Sequence, residues 1–252
     1  MNLGQLNPLE LTREPVDTLS FLVADPANYR VNFALPFRKN DFFVGRQDIL
    51  EQLDSILSEA RSKHTAVLYG IGGIGKTQIA IHYMYTKNNN ISAVLWLNAS
   101  SLKSLQESFL GIAQQLVDHY VRLVSFAQPP YGRVAEILGL KGMVDEAGRV
   151  KKSIHEPDSV AQAVLAWLSL QSNQRWLAVY DNYDDPESFA IGKFMPSIHS
   201  GRIIITSRRR DCARLGQGLE VSSLSVREGI ELLLQSCQLF ADISEGEGKR
   251  TM

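Results

Sequence analysis

Apolar residues recur along the chain in two patterns, as short continuous runs and as runs spaced three or four residues apart. The continuous runs are typical of buried strands, and they lie at residues 65–69, 91–97, 176–180, 202–206 and 219–221. The spaced runs are typical of amphipathic helices, and they lie at residues 49–60, 76–87, 102–116, 160–168 and 226–239. Apolar strands that alternate with helices predict an α/β fold, in which helices cover both faces of a parallel central sheet.

Two stretches lack a regular pattern. Prolines interrupt residues 1–40, which predicts an irregular lead-in. A Pro-Pro pair and several glycines break up residues 120–157, so this stretch is predicted to form short helices or an insertion.

The turn between the first strand and the next helix carries the most specific motif. Residues 70–77 read Gly-Ile-Gly-Gly-Ile-Gly-Lys-Thr, which matches the phosphate-binding loop G-x-x-x-x-G-K-[ST]. Glycines let the backbone adopt positive φ and turn its N–H groups toward a phosphate, and the helix N-terminus adds a positive dipole end. A flexible glycine turn is the alternative interpretation, which the strand and helix on either side disfavour. The residues predicted to bind nucleotide here are Gly70, Gly72, Gly73, Ile74, Gly75, Lys76, Thr77 and Gln78.

Charged residues follow two later strands. Asp181 ends the strand at 176–180, where it is predicted to hold Mg²⁺ together with the Thr77 hydroxyl, and Lys76 is predicted to neutralise the β- and γ-phosphates. Arg208 follows the strand at 202–206, where a cation can contact the γ-phosphate. Lys76, Asp181 and Arg208 are therefore the candidate catalytic residues. The alternatives are a turn-forming aspartate and, for the arginine run 208–210, a solvated loop or a small nucleic-acid patch.

Composition narrows the class of protein further. The 252 residues are 44% hydrophobic, enough for a full core, and their formal net charge of −1 favours neither nucleic acid nor an acidic membrane. The two cysteines have no metal or redox spacing. No apolar run approaches the roughly 18 residues of a membrane span, and no signal-peptide pattern is present, so a cytoplasmic protein is expected.

Six ordered motifs resemble the NB-ARC family of signal-transduction (STAND) ATPases. This family forms the switch module of plant resistance receptors, animal apoptosome scaffolds and fungal NOD-like immune receptors. The resemblance covers about residues 40–240 and is closest to fungal members. The motifs are Phe-Val-Gly-Arg at 43–46, the phosphate loop at 70–77, Leu-Trp-Leu-Asn-Ala-Ser at 95–100, the Walker B stretch at 177–185, the sensor strand at 201–208 and the helix opening at 224–233.

The resemblance implies a P-loop NTPase fold, a three-layer αβα sandwich followed by the start of a helical subdomain. It assigns residues 41–222 to the nucleotide-binding domain and 223–252 to the first helix of the next subdomain. It implies ADP or ATP as ligand with Mg²⁺, and it places Val44 and Arg46 at the adenine. It also implies self-association of the full-length form through this domain, in innate-immune signalling.

Two departures from the family stand out. Family members continue into a winged-helix lid and a repeat array, so the chain is expected to be a nucleotide-binding core without them. Asn182 stands where many relatives carry an acidic residue proposed to activate water, and an amide cannot accept a proton in that role. Asp184 and Asp185 are candidates to replace it.

Three functional hypotheses remain at this level. The first is a nucleotide-dependent switch, in which ADP holds one state, ATP favours another, and hydrolysis is at most slow. The second is a housekeeping P-loop ATPase or kinase with genuine turnover. The third is an interaction module whose loop is structural, which intact Lys76, Thr77 and Asp181 disfavour.

Overall fold

The computed structural model describes residues 31, 35, 37–58, 64–87, 91–123, 130–151, 157–170, 173, 175–196 and 201–248. Most of the predicted lead-in at 1–40 lies outside these residues. Val31 is buried and forms a parallel bridge with Ala93, so this part of the lead-in packs beside the sheet.

A five-stranded parallel sheet forms the centre of the molecule. The strands are β1 (Thr65–Tyr69), β2 (Val94–Asn98), β3 (Leu177–Asp181), β4 (Arg202–Ser207) and β5 (Gln217–Glu220), in the spatial order β2-β3-β4-β1-β5. Every pairing is parallel, so all carboxyl ends meet at one edge of the sheet. The predicted parallel sheet is confirmed.

Helices cover both faces of this sheet. The described residues form six α-helices, which are α1 (Gln47–Ser58), α2 (Lys76–Lys87), α3 (Leu102–Leu123), α4 (Tyr131–Ile137), α5 (Pro157–Leu168) and α6 (Val226–Gly248). Short 3-10 helices occupy Ile191–Phe194 and Arg210–Leu215.

Successive residues of each strand contribute to two separate cores. In β3, Leu177 and Val179 pack with the apolar residues of α1 and α2, whereas Ala178 and Tyr180 pack with those of α3, α4 and α5. Because strand side chains alternate between faces, a strand buried in this way must be apolar throughout. The predicted three-layer α/β sandwich is therefore confirmed.

Strand positions deviate from prediction mainly at the sheet edges. β2 begins at Val94 rather than residue 91, and β5 spans Gln217–Glu220 rather than 219–221. β5 pairs with β1 alone, and Gln217 and Glu220 are exposed. A half-exposed edge strand lacks the continuous apolar run that marks a central strand, which explains the shifted boundary.

The stretch predicted as short helices or an insertion packs onto α3. It contains α4 and an antiparallel bridge between Val144 and Val150. The Gln114 side chain fixes this bridge, since it donates to the Gly148 carbonyl at 2.9 Å and accepts from the Val150 amide at 2.7 Å.

Helix α6 leaves the sandwich beyond β5, and its first turns show an exposed apolar face. Val226, Ile230 and Leu233 are 83%, 53% and 66% exposed. No helix among the described residues combines the length and the apolar character needed to cross a bilayer.

Candidate functional site

The loop at 70–77 adopts the backbone conformation expected of a phosphate-binding loop. Gly70, Gly73 and Gly75 have φ values of 154°, 77° and 101°, in the region that side chains disfavour. The loop joins the end of β1 to the start of α2 at Lys76, so the N-terminus of α2 faces the loop. This arrangement combines free N–H donors with a positive helix end, which suits an anion.

Lys76 is the first residue of α2, at the end of this loop, and it is only 8% exposed. Its Nζ donates to the carbonyls of Gly70 and Ile71 at 2.8 and 2.9 Å. Burial lowers the pKa of Lys76, the charge of Asp184 opposes this effect, and Arg208 adds to it. The lysine therefore shares its surroundings with a second cation and a carboxylate.

A buried carboxylate stands beside the first turn of α2. Asp181, at the end of β3, is 4% exposed, and its Oδ1 accepts hydrogen bonds from the hydroxyls of Thr77 at 2.8 Å and Thr206 at 2.6 Å. β4 separates β3 from β1, so Asp181 reaches the loop across an intervening strand. The structure thus brings the two predicted metal residues together.

The Thr77 hydroxyl and the Asp181 carboxylate suit Mg²⁺, because this ion favours hard oxygen ligands. No cluster of three or more histidine, cysteine or acidic side chains occurs among the described residues. Magnesium in nucleotide sites usually takes one or two protein oxygens and completes its shell with phosphate oxygens and water. Thr77 and Asp181 therefore fit a magnesium ion that arrives with a nucleotide.

Arg208 lies over the phosphate loop, as its position after β4 predicts. A Cβ placed on Gly72 would lie 3.4 Å from the Arg208 Cζ, so the guanidinium rests against the loop where glycine leaves room. The Arg208 backbone amide donates to Asp184 at 2.7 Å, and the Arg208 Nε forms an ion pair with the same carboxylate at 3.0 Å. Arg209 instead forms ion pairs with Asp211 and Glu187.

The residues considered as water-activating groups occupy different positions. Asn182 is exposed in a left-handed conformation with φ of 65°, and its backbone amide donates to the Thr206 hydroxyl at 2.9 Å. Asp185 accepts from the Ser188 amide in a turn, at 3.3 Å. Asp184 is held by Arg208.

Arg46 and Val44, predicted to lie near the base, are both buried, with 7% exposure each. The Arg46 side chain donates to the Ile74 carbonyl at 3.0 Å and to the Ser222 carbonyl at 2.6 Å. Its amide donates to the Glu228 carboxylate at 3.1 Å. Arg46 therefore connects the phosphate loop to the segment that leads into α6.

Gln78 is exposed on the first turn of α2, where its side chain accepts from Asn40 at 3.2 Å. What this position offers a phosphate is the N–H of a first-turn residue, which has no partner within its own helix.

Sequence reasoning missed two contributors to this site, Thr206 and Glu228, and it named Asp184 only as a candidate to activate water. Nothing in the sequence signals that Thr206 reaches Asp181, because strand order decides that contact. Glu228 carried a detectable signal, since Ser225 and Glu228 have the spacing of a helix capping box. The Glu228 amide donates to the Ser225 hydroxyl at 3.2 Å, and the Glu228 carboxylate accepts from the Ser225 amide at 2.8 Å.

Comparisons with known proteins found one curated relative and a distantly similar solved structure. The chain matches no family model. It is 26% identical over 220 residues to a "nucleotide-binding leucine-rich repeat (NLR)-like protein" of the fungus Hyaloscypha variabilis; the match covers 80% of this chain and 19% of the relative. Among solved structures, Cdc6p of Pyrobaculum aerophilum is similar with a TM-score of 0.47 and 13% identity, over 83% of this chain and 52% of that one. The phosphate loop on its parallel sheet is that of a P-loop NTPase, and the fungal match makes the chain similar to an NLR-like protein.

Proposed function

We propose that the chain is an adenine-nucleotide switch module of the NB-ARC kind, which binds ADP and ATP with Mg²⁺ and distinguishes them by the γ-phosphate. The observation that carries this proposal is the position of Arg208, which lies over Gly72 of the phosphate loop. A cation beyond the loop lysine contacts a phosphate group that ATP has and ADP lacks.

A switch requires that one nucleotide bind one state better than the other. One hydrogen bond to a charged group contributes about 1.5–3 kcal/mol, and a tenfold preference needs about 1.4 kcal/mol. Contact between Arg208 and a γ-phosphate is therefore sufficient for a useful difference in affinity.

Magnesium accompanies the nucleotide in this proposal, held by Thr77 and Asp181. Their hydroxyl and carboxylate oxygens lie 2.8 Å apart, beside the loop that would receive the phosphates. When bound, the ion neutralises phosphate charge. The base lies toward Val44 and Arg46, whose burial next to the loop supports that position.

Hydrolysis is slow in this proposal. Asn182 cannot accept a proton, Asp185 caps a turn, and the Asp184 carboxylate is engaged by Arg208. The rival function, a housekeeping ATPase or kinase, needs a free general base near the phosphates. The described residues at this site therefore favour binding over turnover.

Partners follow from the relative rather than from the site. We propose that the longer protein acts in the cytoplasm, associates with itself through this domain, and signals in innate immunity. The exposed apolar residues of α6 and the NLR-like name of the relative support this.

The test is the identity and amount of nucleotide that remains with the purified protein, combined with its turnover rate. We expect adenine nucleotide, mainly ADP, in near-stoichiometric amount, lost in Lys76→Ala, and turnover far below the roughly 1–100 s⁻¹ typical of kinases. Asn182→Asp should raise the rate if a base is what the site lacks. Wild-type turnover in the kinase range would support the housekeeping ATPase instead.

A further inference from the structure

Asp184 holds Arg208 at two points near the root of its side chain. Oδ1 accepts from the Arg208 backbone amide at 2.7 Å, and Oδ2 forms an ion pair with Nε at 3.0 Å. Within the described part of the chain, the terminal amino groups Nη1 and Nη2 have no hydrogen-bond acceptor. The carboxylate therefore orders the arginine without occupying the ends of its guanidinium.

The ordered guanidinium lies on the phosphate loop. Measured from a Cβ placed on Gly72, Cζ and Nε of Arg208 lie at 3.4 Å and Nη2 at 3.7 Å. The side chain is nevertheless 68% exposed, so it is held by Asp184 and by contact with the loop rather than by burial. A long, flexible arginine ordered in advance loses less entropy when a ligand arrives.

The next arginine is held differently. Arg209 donates from Nε and Nη2 to both oxygens of Asp211, at 3.0 and 2.9 Å, and Nη2 also contacts Glu187 at 3.2 Å. Its terminal Nη2 is thus occupied by carboxylates. Of these two neighbouring arginines, Arg208 is the one that offers terminal donors at the loop.

Asp184 also balances the charges of this region. Its carboxylate opposes the lowering of the Lys76 pKa, to which Arg208 contributes. Two cations that would otherwise repel each other are thereby accommodated beside one phosphate loop.

We propose that Asp184 is a positioning residue for the discrimination of ATP from ADP: it holds Arg208 by the backbone amide and Nε, so that the terminal amino groups face the γ-phosphate position. This inference rests on the proposed function. Asp184 then has a positioning role, and it does not act as the general base that Asn182 fails to provide. Asp184 acts on nucleotide binding only through Arg208, so it affects the affinity for ATP and not the affinity for ADP.

The test is a double-mutant cycle read by calorimetry with Mg²⁺, ADP and a non-hydrolysable ATP analogue. The change Asp184→Asn keeps the shape of the side chain but replaces one acceptor with an NH₂ group. We expect Asp184→Asn to weaken ATP-analogue binding by about two- to fivefold, the range of an exposed ion pair, with ADP affinity unchanged. In the Arg208→Ala background, Asp184→Asn should cause no further loss. Glu187→Gln, which removes a carboxylate from Arg209, is the matched control and should leave both affinities unchanged.

Three results would overturn the role of Asp184. These are an equal loss of ADP and analogue affinity, a selective loss that persists without Arg208, and a gain in analogue affinity, which would mean that Asp184 competes with the phosphate. Failure of the proposed function looks different: the unaltered protein would bind neither nucleotide, and the inference would fall with it.

Discussion

Asp181 shows how a single buried charge is accommodated in this site. A carboxylate removed from water needs donors, and the Thr77 and Thr206 hydroxyls both donate to its Oδ1. The same Thr206 hydroxyl accepts from the Asn182 amide. One side chain on β4 therefore fixes both the carboxylate and the turn that follows it.

Thr206→Val tests this arrangement because it keeps the shape and removes the hydroxyl. Leaving a buried acceptor short of a donor costs about 1–3 kcal/mol, and we expect a loss of that size in the free energy of unfolding from urea titration. We also expect weaker Mg²⁺-dependent nucleotide binding, since Asp181 loses its orientation. Thr206→Ser keeps the hydroxyl and is the control. Equal unfolding free energies for Thr206→Val and the wild type would contradict this role.

Arg46 is the second residue whose role depends on the fold. We expect Arg46→Ala to weaken ADP and ATP-analogue binding by the same factor. Both nucleotides contain adenine, and both would bind the phosphate loop that Arg46 holds through the Ile74 carbonyl. Calorimetry with each nucleotide measures this. A loss confined to the ATP analogue would argue against it.

At the scale of elements, the first turn of α6 is connected to the phosphate loop through Arg46. The Glu228 carboxylate caps α6 at Ser225 and accepts from the Arg46 amide, in a turn where Gly45 and Arg46 have φ values of 68° and 63°. A side chain at Gly45 would overlap Glu228. Movement at the loop and movement at the root of α6 are therefore expected to affect each other.

Comparison of two changes in the capping box tests this coupling. Ser225→Ala removes a hydroxyl cap, which costs about 0.5–2 kcal/mol, but leaves the Arg46 contact intact. Glu228→Ala keeps that hydroxyl cap, which uses the Glu228 backbone amide, but removes the carboxylate that accepts from the Ser225 and Arg46 amides, so we expect it alone to lower affinity for ADP and the ATP analogue. By hydrogen exchange, ADP should protect the first amides of α6 in the wild type and in Ser225→Ala but not in Glu228→Ala. Protection that persists in Glu228→Ala would contradict the coupling.

The coupling through the Glu228 carboxylate also depends on pH. Hydrogen bonds from Ser225 and Arg46 hold the pKa of Glu228 below its ordinary value. A carboxylate whose pKa is lowered by folding stabilises the folded state at any pH above the pKa that it has in the unfolded chain. This stabilisation is lost as the pH falls through the lower pKa of the folded state. The coupling is therefore expected at neutral pH and lost in acid.

The elements that sequence predicted well are those with a local signal. β1, α2 and the phosphate loop combine a continuous apolar run, a glycine motif and a helical period, and their boundaries agree with the structure. β5 was displaced because an edge strand buries few of its side chains. The contacts of Thr206 and Arg46 could not be predicted, because they depend on which strands are neighbours and where a left-handed turn directs the chain.

At the scale of the whole molecule, the sandwich gathers residues distant in sequence at one edge of the sheet. Residues 44–46, the loop at 70–77, Asp181 and Arg208 come from four segments, and α6 is attached to the same edge. A ligand bound at this edge would lie among groups from these four segments. This architecture suits a module whose state depends on which nucleotide occupies it.

The most direct test of the switch is the affinity of the wild type and Arg208→Ala for Mg²⁺-ADP and a Mg²⁺-bound, non-hydrolysable ATP analogue, measured by calorimetry. Because ADP has no γ-phosphate for Arg208 to contact, we expect Arg208→Ala to retain its affinity for ADP. Its affinity for the analogue should fall about ten- to a hundredfold, the effect of losing one charge-assisted hydrogen bond. If the two affinities fell by the same factor, Arg208 would not sense the γ-phosphate, and the switch would lose the residue on which it rests.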